Sequence, residues 1–428
     1  MVVVLWHGTP IFANAHETGP GDGSASDVRP PRCQLFSAEH VFDGSELLTD
    51  AAVLLKKDEV AQVGKLSELK SLCRRRTDLG DATILPGFIE SHAHLTFQNV
   101  TSETVLRHGI TTVRDTGGPL LPPTGGQGAL RLLSAGPIIQ APGGYPLNIF
   151  GSHAEHAEHQ DYGAIGVEVA SPKEAKHVVD DLVAGGATVI KIALEPGGEA
   201  GAPWMMDHGQ GEPPETPWPM LSLKTVKAIV ARAHELGKRV TAHVGEDSGA
   251  KLALDGGVDE WAHVPCAPIS ENLLKQAVDQ NVKFVTTIDT LGSCTGLHAN
   301  VQTLAHLIEQ TPGTQAEFIY GSEIGHDNVP WGINGEEMHL MLHLTSGESI
   351  DFADVLKVYK SATSNAAKNL GIPLLGTLAP GAPADIIAVK DNIKADGSKE
   401  TAFERFKLLE YPDLVISGGR IIVNNFDQ

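Results

Sequence analysis

Eight short apolar runs, separated mostly by stretches with helical spacing, recur between Ala82 and Glu323. They read ATILPGFIESHAH, GITTVRD, GPIIQAPGG, ATVIKIAL, KRVTAHV, VDEWAHV, VKFVTTI and EFIYGSE. Runs this short, alternating with helix-length segments, are strands of an α/β protein rather than buried helices. Two of the intervening helices are clearly bounded. SPKEAKHVVDDLVAGG carries an N-cap Ser171 and a terminal glycine pair, and SLKTVKAIVARAHELGK is likewise opened by serine and closed by glycine. Eight alternations over roughly 290 residues predict a (β/α)8 TIM barrel, whose chemistry sits at the C-terminal ends of its strands.

The flanks have a different period. QLFSAEHVFDG and AAVLLKKDEVAQVG near the start, and ADIIAVKDN and DLVISGGRIIVNN near the end, alternate apolar and polar residues between turn signals, as half-buried strands do. They predict a small β-sandwich domain built from both termini, over 33–85 and 373–428, around a barrel over 86–372. Residues 1–32 are rich in Gly, Pro, Ser and Asp and are expected to form an irregular arm.

Composition narrows the function classes. The 428-residue chain has 53 acidic against 32 basic residues, a formal charge of -21, which leaves no basic surplus for nucleic acid or an anionic membrane. Its four cysteines form no close sequence pair, so no disulfide framework is expected, and the setting is read as reducing and cytoplasmic. MVVVLW is too short, and lacks the basic lead-in, for a signal peptide. No apolar run reaches the ~18 residues of a membrane span.

His92 and His94 close the first barrel run. Two apart on a strand, they face the same side and can address one ion. Lys191 lies in the fourth run, His243 ends the fifth, His263 the sixth and Glu323 the eighth. His177, His234, His339 and His343 fall on helical stretches and are assigned no chemistry.

These motifs, with GITTVRDTGG, SAGPIIQAPGG, YGSEIG and the tail NLGIPLLGTLAPGAPADIIAVKDN, resemble the amidohydrolase superfamily in family order over about residues 35–425. The likeness is to the imidazolonepropionase and prolidase branch. The resemblance implies a zinc centre. His92 and His94 would hold the more buried ion, and His243 and His263 a second. A carboxylated Lys191 would bridge them, with a single ion as the alternative. It further implies attack of a metal-bound hydroxide on an amide-type C–N bond, with an acid–base residue carrying the proton to the leaving nitrogen.

In the family that residue is an Asp in a G-[ST]-D pattern. Here the chain reads GSEIG, which puts Glu323 in the place, as shuttle and ligand, with His326 and Asp327 as the nearest stand-ins. Tyr145 stands where relatives carry the His of GGH, Ala262 replaces an acidic residue before His263, and Glu90 replaces an Asp before the HxH.

Tyr145, Trp204, His326 and Trp331 are the expected substrate contacts, Trp204 lying with Met205, Met206, Asp207, His208 and Trp218 in a long loop that reads as a lid. His153, His156 and His159 share a helical face and either line a pocket mouth or form an exposed polar turn. The expected substrate is a peptide or modified peptide; a closer likeness to amidohydrolases of bottromycin-type biosynthesis implies follower-peptide removal C-terminal to a thiazoline. Two alternatives stand beside it: an imidazolone or lactam hydrolase, and a non-catalytic barrel used for binding. A homodimer fits the family.

Overall fold

The computed structural model describes residues 32–96, 98–151, 164–197, 214–326, 328–347, 349–390 and 405–426. The expected arm, the His153–His156–His159 face, Trp204 to His208 and Asp327 lie outside the described residues.

The chain opens with antiparallel strands β1 (Gln34–Phe42), β2 (Leu47–Lys56) and β3 (Glu59–Lys65), then β4 (Arg76–Asp78) and β5 (Thr83–Pro86), both parallel to β1. Next come β6 (Phe88–Ala93), β7 (Ile110–Asp115), β8 (Thr124–Gly126) and β9 (Ala129–Ser134), in a sheet ordered β6-β7-β9-β8. Within it β6, β7 and β9 are parallel, and β8 pairs antiparallel to β9.

A seven-stranded parallel sheet follows. It comprises β10 (Ile138–Gln140), β11 (Gly166–Glu168), β12 (Ile190–Leu194), β13 (Val240–Val244), β14 (Glu260–Trp261), β15 (Lys283–Val285) and β16 (Glu317–Ile319), in the order β11-β10-β12-β13-β14-β15-β16. Strands β17 (Ile386–Val389), β18 (Leu414–Ser417) and β19 (Arg420–Asn424) then return to the first sheet, β17 pairing antiparallel with β5. Both ends of the described chain therefore share one eight-stranded sheet.

Backbone bonds link the two parallel sheets on both sides. Thr188 N, ahead of β12, donates to Ser134 O at the end of β9, and Ala93 of β6 bridges in parallel to Ile324, beyond β16. The fold is thus mixed α/β with an arrangement consistent with a barrel-like domain.

All eight apolar runs contain a strand. Their residues are buried on both faces, as in β12 and β13, because helices cover the outside. Helix Pro172–Ala184 buries Ala175, Val179 and Leu182 at spacings of four and three, and Ser171 Oγ accepts from Glu174 N. Helix Leu223–Glu235 repeats the device, with Ser222 Oγ accepting from Thr225 N and Val226, Ile229 and Val230 turned inward. Each such fully buried aliphatic side chain contributes about 1.5–3 kcal/mol.

One expectation is overturned. Cys33 pairs with Cys73 and Cys266 with Cys294, so every cysteine is in a disulfide. The separations of 40 and 28 residues hid pairs that the fold brings side by side. The argument from free thiols to a reducing, cytoplasmic setting therefore falls away, since disulfides persist chiefly in oxidising compartments. Among the described residues, no helix is long and apolar enough to cross a membrane.

Candidate metal centre

Strand β6 delivers His92 fully buried from inside the ladder and His94 from the first residue beyond it. Their tautomers are dictated by their partners. His92 Nδ1–H donates to Ala262 O at 2.9 Å, and His94 Nδ1–H donates to Gly117 O at 3.1 Å. A carbonyl can only accept, so each ring keeps its proton on Nδ1 and its lone pair on Nε2. The two Nε2 atoms then face each other at 3.3 Å with no proton between them. Burial and neighbouring positive charge hold both imidazoles neutral, His92 well below the ordinary histidine range and His94 down to about 3.

Glu323 completes the group. One carboxylate oxygen of Glu323 and a ring nitrogen each of His92 and His94 lie within 4.8 Å of one another. Glu323 Oε1 is 3.9 Å from His94 Nε2 and 4.0 Å from His263 Nε2, while Oε2 is buried with no hydrogen-bond partner among the described residues. Two confronted lone pairs and an orphaned carboxylate oxygen are what a divalent cation relieves, and the donor set suits zinc. Burial raises the Glu323 carboxyl above its ordinary range. Its backbone sits at φ +61°, a left-handed conformation uncommon outside glycine and enriched at functional sites.

His243, within β13, and His263, two residues past the two-residue β14, approach from the neighbouring strands. The His92 and His263 rings are 4.2 Å apart and those of His243 and His263 5.1 Å. Both imidazoles are held well below the ordinary range, first by burial and then by the charge of Lys191. Lys191 itself is buried in β12, and burial pushes its amine down to about 7, with Glu323 pulling the other way.

Sequence reasoning missed three supporting groups, Glu195, Asp115 and Thr287, and named a fourth, Glu90, without giving it a role. Glu195 follows β12 and is fully buried, with its Oε2 3.2 Å from His243 Nε2; burial pushes it up to about 8. It lies four residues after Lys191, hence on the same strand face, and that parity was the available signal. Glu90, also pushed up to about 8 by burial, accepts from His92 N at 2.7 Å and from Ser322 N and Oγ, tying β6 to the segment that carries Glu323. Asp115 accepts from Thr96 and Gly117. Thr287 Oγ1 stands 3.0 Å from His263 Nδ1. Below the site, Arg114 grips Glu260 through two bonds of 3.2 and 2.6 Å.

The expected substrate contacts fare unequally. Tyr145 lies 4.8 Å from the His243 ring and stacks on Trp218 at 6.2 Å and 4°. His326 follows the Glu323 turn, its N–H donating to Glu323 O, and its charge bears on Glu323. Trp331 is not brought against the histidines; it is 40% exposed, with its carbonyl accepting from His108 Nδ1.

The chain is similar to known proteins in sequence and in fold. The model of the amidohydrolase family matches residues 83–422. An imidazolonepropionase of Streptomyces avermitilis is 41% identical over 51 residues, a match spanning only 12% of this chain and 12% of that protein. Among solved structures, a Xaa-Pro dipeptidase with methionine bound in its active site superposes with a TM-score of 0.67 at 20% identity, covering 91% of this chain and 99% of that one. The ochratoxinase of A. niger gives 0.68 at 17% identity, covering 92% and 96%.

Proposed function

The chain belongs to the amidohydrolase family and is a hydrolase of C–N bonds, and on that premise we propose that it cleaves an amide-type bond of a peptide or modified peptide at a zinc centre. The confronted Nε2 atoms of His92 and His94, with the orphaned Glu323 oxygen beside them, carry this reading. In this reading the linked parallel sheets close into a (β/α)8 barrel over 86–372, and the shared sheet folds into a β-sandwich over 33–85 and 373–428.

His92, His94 and Glu323 would hold one ion, and His243 and His263 a second, with Lys191 between them. A zinc ion there supplies Lewis-acid stabilisation of charge on oxygen and lowers the pKa of water. The residues do the rest. The carbonyls of Ala262 and Gly117 keep the protons of His92 and His94 on Nδ1. Glu323, with its raised carboxyl, takes the proton of the attacking water and returns it to the departing nitrogen. The Lys191 amine, down at about 7, has the neutral form that condenses with carbon dioxide, releasing one N–H proton to solvent, and the carbamate would offer two oxygens sharing one negative charge where an ammonium offers none.

The aromatic wall of Tyr145 and Trp218 beside His243 suits an apolar side chain next to the scissile bond. The Xaa-Pro dipeptidase likeness points to a peptide substrate, and follower-peptide removal after a thiazoline is the most specialised form of that reading. A second reading, one ion only, is favoured by one observation: Glu195 already occupies His243 Nε2. The test is metal content per chain after purification without chelator, with Glu323→Gln as the inactive control. Near two ions per chain supports the bridged centre, and near one supports the second reading. None after zinc is offered back overturns the metal centre.

A further inference from the structure

Of the ring positions around the centre, that of His263 is the least supported by its own strand. His243 sits inside the five-residue β13, whereas His263 lies beyond a strand of two residues, Glu260–Trp261. What holds it comes from the next connection. Thr287 Oγ1 meets its Nδ1 at 3.0 Å, and Thr287 is itself a β-branched residue at φ +47°, a conformation that costs free energy and persists only where the surroundings enforce it.

Three residues past His263 is Cys266, and seven past Thr287 is Cys294; the disulfide between them closes a ring that runs through the His263–Thr287 contact. The ring is itself pinned. Gly296 N donates to Cys266 O, and Asn300, on helix Leu297–Gln310, donates to Pro265 O and Ala267 O and accepts from Ile269 N. At Gly296 a Cβ would come within 2.1 Å of Pro268 N, so the two connections are in direct backbone contact there.

We propose that the Cys266–Cys294 disulfide, acting through Thr287, is a positioning clamp for the His263 imidazole, so that the His243–His263 side of the metal centre binds its ion tightly only when the clamp is oxidised. The inference rests on His263 being a ligand. Cys33–Cys73 supplies the internal control, because it packs with Leu35, Leu54 and Leu69 in the terminal sheet, away from the histidines. Orienting partners of metal-binding histidines are worth about 10- to 100-fold in metal affinity.

The experiment compares full-length wild type, C266S/C294S and C33S/C73S. Each is stripped of metal and titrated with Co2+ while its visible absorption is followed, and the nitrogen shifts of the His263 imidazole are recorded on the metal-free proteins. For C266S/C294S the expected result is a second Co2+ bound about 10- to 100-fold more weakly, together with a displaced His263 Nδ1 shift. C33S/C73S keeps both signals and loses only thermal stability.

Unchanged Co2+ binding and unchanged His263 shifts in C266S/C294S overturn the clamp. Should that variant not fold, native wild type is reduced with dithiothreitol and read in the same way. The S–S bond takes up two electrons and two protons from the dithiol, which closes to its own cyclic disulfide, and alkylation of the freed thiols locates the site. Wild type that takes up no Co2+ refutes the metal centre instead, and the imidazole shifts still decide the clamp.

Discussion

Glu323 combines three properties on one carboxylate: burial, an oxygen without a hydrogen-bond partner among the described residues, and a left-handed backbone. Shortening its stem moves the carboxyl by about 1 Å, a shift that active sites register as a loss near 100-fold. Glu323→Asp is therefore expected to lower kcat/KM by about two orders of magnitude with little change in melting temperature. Glu323→Gln, which removes the proton carrier, should lose about 10²- to 10⁴-fold. Steady-state kinetics on a dipeptide amide panel checks both. Glu195→Gln makes a separate test: if Glu195 holds the His243 tautomer, metal affinity falls about 10- to 100-fold, measured by competition with a chromophoric chelator. Strand parity alone marks His92 and His94 only weakly; they stand out because Lys191, His243, His263 and Glu323 fall in or at the ends of later runs. Glu195 shared that parity, but a lone carboxylate four residues after a lysine carries no spacing signature until the neighbouring strand brings His243 to it.

Helices and strands differ in how openly the sequence declares them. Ser171 and Ser222 announce their helices, and Asp351 opens helix Phe352–Ser361 with a reciprocal capping box to Asp354. Asp351→Ala removes acceptors for Ala353 N and Asp354 N and is expected to cost about 1 kcal/mol. Chemical denaturation should report that loss, with kcat unchanged. Short apolar runs located eight strands, β6, β7, β10 and β12 to β16. Strands β4, β8 and β11, which bury no residue fully, escaped notice, as did β9 with its mixed burial. Register and long-range pairing were also out of reach. The disulfides depend on loops 28 and 40 residues apart meeting in space, and no local pattern encodes that.

At the scale of the molecule, buried carboxyls and Lys191 set the pH response above the ordinary histidine range. Below it the four buried histidines, neutral when folded, oppose the carboxyls, because the unfolded chain then binds their protons. Burial lifts Asp115 to about 6, Glu337 to about 7, and Glu90 and Glu195 to about 8. Each binds a proton more tightly folded than unfolded, so stability is undiminished below the ordinary carboxylate range and falls as pH rises towards the folded value. Lys191, lowered to about 7, acts oppositely above that pH, because the unfolded chain then holds the extra proton. Between 7 and 8 two carboxyls outweigh one amine, so the metal-free protein should melt lowest near pH 8. Calorimetry from about pH 6.5 to 9 tests this, and Glu337→Gln should lessen the fall in stability as pH approaches 7. The shared sheet carries a different consequence, one of timing. β5 must pair with β17, about 300 residues later in the chain. At ~5–20 residues per second, the ribosome leaves the Thr83–Pro86 edge without that neighbour for ~15–60 s. During biosynthesis, then, that nascent edge stays open to other partners until the last strands emerge.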